Sequence, residues 1–137
     1  MNATMLYRIA SLLLVLFAAG HTFGFLKFKA PSPEGLAVHD AMKNVYFQVR
    51  GKTFSYDGFY KGFGLVITAE LLFSAFLAWY LGDLARSNPQ AIGFLGWAFC
   101  LFEIAGLILS WIYFFPITVL LSALVVICLG WAAWLIK

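Results

Sequence analysis

The chain is 137 residues long, 64% hydrophobic and only 11% charged, with a net charge of +3 and a mean hydropathy of +0.92. A water-soluble domain is ~45–50% apolar and ~25% charged, so the composition excludes a soluble globular fold. The basic residues gather mostly in one loop rather than on a groove-reading face, which excludes nucleic acid as a partner.

The first apolar run covers residues 5–26, MLYRIASLLLVLFAAGHTFGFL. Arg8, the Leu-rich stretch and Ala18-Ala19-Gly20 imitate the parts of a secretory signal, but the segment is read as a retained first span. A helix rising ~1.5 Å per residue needs ~20 residues to cross a ~30 Å hydrocarbon core, and the run has that length. The polar connection 27–58 follows. Within it, Ser32-Pro33-Glu34 carries the marks of a helix start: a capping hydroxyl, proline at the first position and an acid in the first turn. Val38, Ala41, Met42, Val45 and Val49 then recur at helical spacing, with His39, Lys43 and Arg50 on another face. This predicts a short amphipathic helix lying on the membrane or capping the bundle. From Val45 a hairpin competes, because residues 45–49 and 53–56 are rich in strand formers around Arg50-Gly51-Lys52. Helix is expected through Asn44, and residues 45–56 stay open between the two.

The second span is predicted over 59–81, with Asp57 as its cap, the third over 91–115 and the fourth over 117–136. Pro116 has no amide hydrogen and disfavours helix in the residue before it, so it marks a tight turn between two spans. Trp79, Tyr80, Trp131 and Trp134 fall at one set of span ends and Trp111 and Tyr113 at the other, as interfacial aromatic belts do. Glycines four apart at Gly58 and Gly62 are expected to permit close helix packing. Cys100 and Cys128 lie inside spans, match no metal or redox spacing, and read as small buried hydrophobes. Orientation is contested: the six basic residues of the 27–61 stretch favour a cytoplasmic loop, whereas Arg8 favours a cytoplasmic N-terminus. The fold class that results is an all-α integral membrane four-helix bundle, a single domain with a short amphipathic segment between its first two spans.

Three polar residues inside the spans need a reason. Glu70 and Glu103 each fall about twelve residues into their spans, near the bilayer midplane by helical rise. An ionised acid there costs ~2.5–3.5 kcal/mol, so each needs a partner or a proton. His21 lies nearer the loop-side surface. As a set, His21, Glu70 and Glu103 admit three uses: hydrogen bonds that hold helices in register, a polar anchor for a hydrophobic ligand, or acid–base chemistry on a lipid or isoprenoid substrate. Gly96, Gly106 and Ser110 share helical spacing with Glu103 and suggest an inward face. Leu at either glutamate is expected to cost stability, and Gln to be tolerated. No cofactor is implied, and no ligand-spaced pair on one helix points to a metal. The expected partners are membrane lipid, a hydrophobic small molecule, or other membrane subunits. The leading expectation is therefore a non-catalytic protein that binds a hydrophobic ligand within the bundle or serves as an accessory subunit, with the enzyme as the alternative.

Two motifs, Gly20-His21-Thr22-Phe23-Gly24-Phe25 and Tyr56-Asp57-Gly58-Phe59-Tyr60-Lys61-Gly62-Phe63-Gly64, resemble a group of short bacterial four-helix membrane proteins similar in turn to DoxX-like proteins. The resemblance implies a four-helix bundle in a bacterial inner membrane and supplies no activity. A looser, fold-level similarity is to the EXPERA group of four-span proteins, whose members include sterol isomerases and sterol-binding receptors.

Overall fold

The computed structural model describes residues 2–136. Its elements in chain order are α1 (Ala3–Lys27), α2 (Pro33–Asn44), the strands β1 (Tyr46–Val49) and β2 (Lys52–Ser55), α3 (Tyr56–Ser87), a 3-10 turn at Pro89–Ala91, α4 (Leu95–Tyr113) and α5 (Pro116–Leu135). α1, α3, α4 and α5 are long and apolar enough to cross a membrane. Helices are the form such runs take, because in hydrocarbon each peptide group must pair within its own segment. The predicted all-α fold class is thus the observed one. Two boundaries differ by more than three residues. α3 continues six residues past the expected end at 81, since no breaker intervenes before Pro89, and its 32 residues extend ~48 Å. The third span starts later than expected, because Pro89 opens a 3-10 turn and Gly93 follows at φ +48.

The chain divides into two compact units, one of residues up to Phe17 and from Leu71 onward, the other Ala18–Glu70. In the first, Leu6, Tyr7, Ala10 and Leu14 of α1 lie on one helical face and are fully buried. Ala75, Ala78 and Leu81 of α3, Phe99 and Cys100 of α4, and Val125, Leu129 and Ala132 of α5 complete this core. Its alanines let backbones approach closely, the packing that replaces the hydrophobic effect between helices in lipid. Ser11 donates a hydrogen bond to the Ala75 carbonyl at 2.8 Å. Near the same end Arg8 pairs with Asp83 and lays its guanidinium over the Trp79 ring, 3.3 Å from the centroid. Gly82 makes room for it: a Cβ there would stand 3.3 Å from Arg8 Nε. The Pro116 turn forms as predicted. Phe114 and Phe115 are extended, with ψ of 179 and 156, and Pro116 opens α5 as its first residue.

In the second unit α2 begins where its signals stand. Ser32 is extended and its hydroxyl accepts from the Gly35 amide at 3.2 Å. Glu34 follows in the first turn, where its own backbone amide and the Ser32 hydroxyl hold its carboxyl below the usual range. The stretch left open after Asn44 is a hairpin, with Tyr46 paired to Ser55 and Val49 to Lys52. Arg50 and Gly51 turn it at φ 49 and 78, and positive φ at both positions matches the right-handed twist of the flanking strands. Phe47 anchors the hairpin through Tyr56 and Phe59, with ring centroids at 4.9 and 5.6 Å. Ser55, not Asp57, caps α3, its hydroxyl accepting from the Gly58 amide at 3.0 Å. Asp57 instead sits one residue inside the helix and reaches Lys61 Nζ at 2.8 Å.

Candidate functional site

Each of the three intramembrane polar residues has a different environment. His21 is half-buried in the second unit, its Nε2 3.1 Å from the Gly64 carbonyl oxygen. A carbonyl only accepts, so the imidazole donates there. One turn along, Phe25 packs against His21 with ring centroids 5.1 Å apart and lies flat on Gly64, where a Cβ would come within 2.7 Å of the ring. The Thr22 and Thr68 hydroxyls stand 2.8 Å apart beside them. The close approach forecast for this stretch therefore centres on Gly64. At Gly62, expected to supply it, an added Cβ would meet nothing within 4 Å. His21 serves as a clasp between α1 and α3.

Glu70 is exposed and has no hydrogen-bond or ion-pair partner among the described residues. No such bond joins it to His21, whose partner Gly64 precedes Glu70 by six residues, about 9 Å along α3. Glu103 belongs to the first unit and is buried, with the buried Ser74 side chain beside its carboxyl. Of its expected inward neighbours, Gly96 and Ser110 are buried, and Ser110 stands 3.4 Å from Ser122 on α5. Gly106 faces open space. Tyr7, which no sequence signal singles out, is the largest fully buried side chain. Among the described residues its hydroxyl has no hydrogen-bond partner, and it presses on Gly96, where a Cβ would lie 2.7 Å from the oxygen. Among the described residues, no cluster of three or more His, Cys, Asp and Glu is placed to hold a metal ion.

A chamber of about 650 Å³ lies elsewhere in the second unit. Its walls are the last turn of α1 with the connection after it (25–30), one side of α2 (35–43), and the opening turns of α3 (Asp57, Tyr60 and Lys61). None of His21, Glu70 and Glu103 lines it. Apolar side chains such as Phe25, Phe28, Leu36 and Met42 alternate there with Lys27, Lys29, Lys43 and Lys61 and with two acids, Asp40 and Asp57. The acids are engaged. Asp57 meets Lys61 at 2.8 Å and His39 at 3.5 Å, and Asp40 meets Lys43 at 3.9 Å. In the sequence, Val38 and Met42 with His39 and Lys43 mark only the two faces of one amphipathic helix. That α1 and α3 close a space against them is invisible there, because the three walls are distant along the chain.

Four membrane-length apolar helices, with a helix and hairpin inserted between the first two, define a multi-pass helical membrane protein. No protein-family model, curated protein or solved structure matches the chain.

Proposed function

We propose that the protein is a non-catalytic, multi-pass membrane protein that binds a hydrophobic or amphiphilic molecule in the chamber between α1, α2 and the start of α3. The chamber itself carries this reading. Its volume is that of a small-molecule site, commonly ~300–1,000 Å³ and mostly apolar with a few polar groups. This reading puts the ligand at the loop-facing ends of two spans, whereas the sequence suggests the middle of the bundle. A bacterial inner membrane remains the proposed setting, on the likeness of the His21 and Gly64 motifs to DoxX-like proteins. The test is native mass spectrometry of the detergent-purified chain. A one-to-one adduct of lipid-like mass is expected, and Met42→Trp, which narrows the chamber at one wall, should weaken it. An adduct undiminished in Met42→Trp refutes the reading.

Glu70 favours a second reading, an accessory subunit of a larger membrane assembly. An exposed carboxylate midway along a membrane-length helix faces a penalty of ~2.5–3.5 kcal/mol against hydrocarbon. A neighbouring helix with a basic or hydrogen-bonding group opposite Glu70 would remove it. On blue native electrophoresis of solubilised membranes, Glu70→Leu should then shift the protein from a larger band to that of the free chain. Identical migration of the two proteins refutes the subunit reading.

A further inference from the structure

We propose that the chamber selects an anionic phospholipid, with Lys27 and Lys29 as the cations that meet its headgroup. This rests on the reading of the chamber as an amphiphile site and goes further by naming the chemical class of the occupant.

Four lysines and two aspartates line the chamber, so the wall carries a net charge of +2 without His39. Both aspartates are already within ion-pair range of lysines on the same wall, Asp57 of Lys61 and Asp40 of Lys43. Lys27 and Lys29 have no carboxylate within 4 Å among the described residues. The uncompensated charge is therefore localised, on two side chains that flank Phe28. Lys27 ends α1, where the last carbonyls favour a cation, and Lys29 follows in the connection. Such side chains lay their methylene stems on apolar surface and keep the ammonium in water. Their reach suits a group lying at the boundary rather than one buried below it.

The position of the chamber agrees with its charge. The apolar wall begins in the last turn of one membrane-length helix and the first turns of another, where hydrocarbon gives way to the polar connection. An occupant touching Phe25, Leu36 and Met42 as well as Lys27 and Lys29 must combine an apolar part with an anionic one. A bare phosphate satisfies the lysines and leaves the apolar wall uncovered; a neutral sterol or diglyceride does the reverse. A phospholipid with net negative charge satisfies both.

The test uses the full chain in a neutral maltoside detergent, titrated in native mass spectrometry with dioleoyl phosphatidylglycerol and, separately, with dioleoyl phosphatidylcholine. The acyl chains are identical, so any preference reports the headgroup. Each lysine at a charged lipid surface is worth about fivefold in affinity, so Lys27→Gln combined with Lys29→Gln should weaken phosphatidylglycerol binding about twenty-fivefold and leave phosphatidylcholine unchanged. Both lysines are exposed, and unaltered far-UV circular dichroism confirms that the variant is folded. Equal binding of the two lipids, or a preference that survives the double substitution, overturns the headgroup assignment while the amphiphile reading stands. Lipid binding unaffected by Met42→Trp overturns the amphiphile reading beneath it. Displacement of phosphatidylglycerol by millimolar inorganic phosphate overturns the lipid as the source of the anion.

Discussion

Gly96 and Tyr7 make a packing contact tight enough for one added methyl group to reveal it. In Gly96→Ala the new Cβ would stand 2.7 Å from the Tyr7 hydroxyl, 3.2 Å from Ile92 and 3.4 Å from Ala133. Tyr7 is fully buried and has nowhere to swing, so the clash is not relieved by rotation of a free side chain. Overpacking of this kind costs ~1–3 kcal/mol, against which replacing a helical glycine by alanine gains ~1 kcal/mol. Gly96→Ala should therefore destabilise the protein by up to ~2 kcal/mol. In the Tyr7→Phe background the colliding oxygen is gone, and the helix gain is opposed only by the milder Ile92 contact at 3.2 Å. The same substitution should then be neutral or stabilising by up to ~1 kcal/mol. Tyr7→Phe alone should cost little, since that hydroxyl has no hydrogen-bond partner among the described residues. Equilibrium unfolding in mixed micelles, followed by far-UV circular dichroism as the dodecyl sulfate fraction rises, gives the coupling energy directly. If Gly96→Ala costs the same in both backgrounds, the contact does not constrain this core.

Glu103→Gln should be tolerated, whereas Glu103→Leu should lose ~0.6–1.7 kcal/mol in the same assay, and a cycle with Ser74→Ala should recover most of that loss as coupling. Zero coupling would mean that Ser74 is not the partner. For Glu70, exposure reverses the sequence-based expectation: Glu70→Leu should favour insertion of its helix by ~2.5–3.5 kcal/mol, read by glycosylation mapping, and an unchanged insertion efficiency counts against an outward-facing acid. At the hairpin tip, Gly51→Ala should cost ~1 kcal/mol because a Cβ at φ +78 is strained, while Arg50→Asn should stabilise the turn. Hydrogen exchange of the 46–55 amides measures both, and equal protection in all three proteins would contradict the turn geometry.

The elements that were legible in the sequence are those fixed by local chemistry. The four spans follow from uninterrupted apolar length, the α4–α5 turn from Pro116, and the start of α2 from Ser32 and Pro33. The cap of α3 lies two residues before the one its sequence suggests, because Ser55 and Asp57 are both competent caps and the choice turns on where the helix begins. The hairpin stayed open for a related reason: Val45 and Val49 satisfy helical spacing and strand preference equally. What no local pattern carried was long-range packing. Gly64 is chosen over Gly62 by where the Phe25 ring lies, and Tyr7 meets Gly96 across 89 positions of chain. Glu70 and Glu103 each lie midway along similar apolar runs, and no local pattern separates the exposed acid from the buried one.

The turn between α4 and α5 has a bearing on biogenesis. Just two residues, Phe114 and Phe115, separate the helices, and between Arg86 and Lys137 the sole charged residue is Glu103. Topogenic basic residues act from the flanks of a span, and this connection offers none. The two helices are thus expected to leave the translocon together as a hairpin, with the direction of both set by Arg86 before the pair and Lys137 after it.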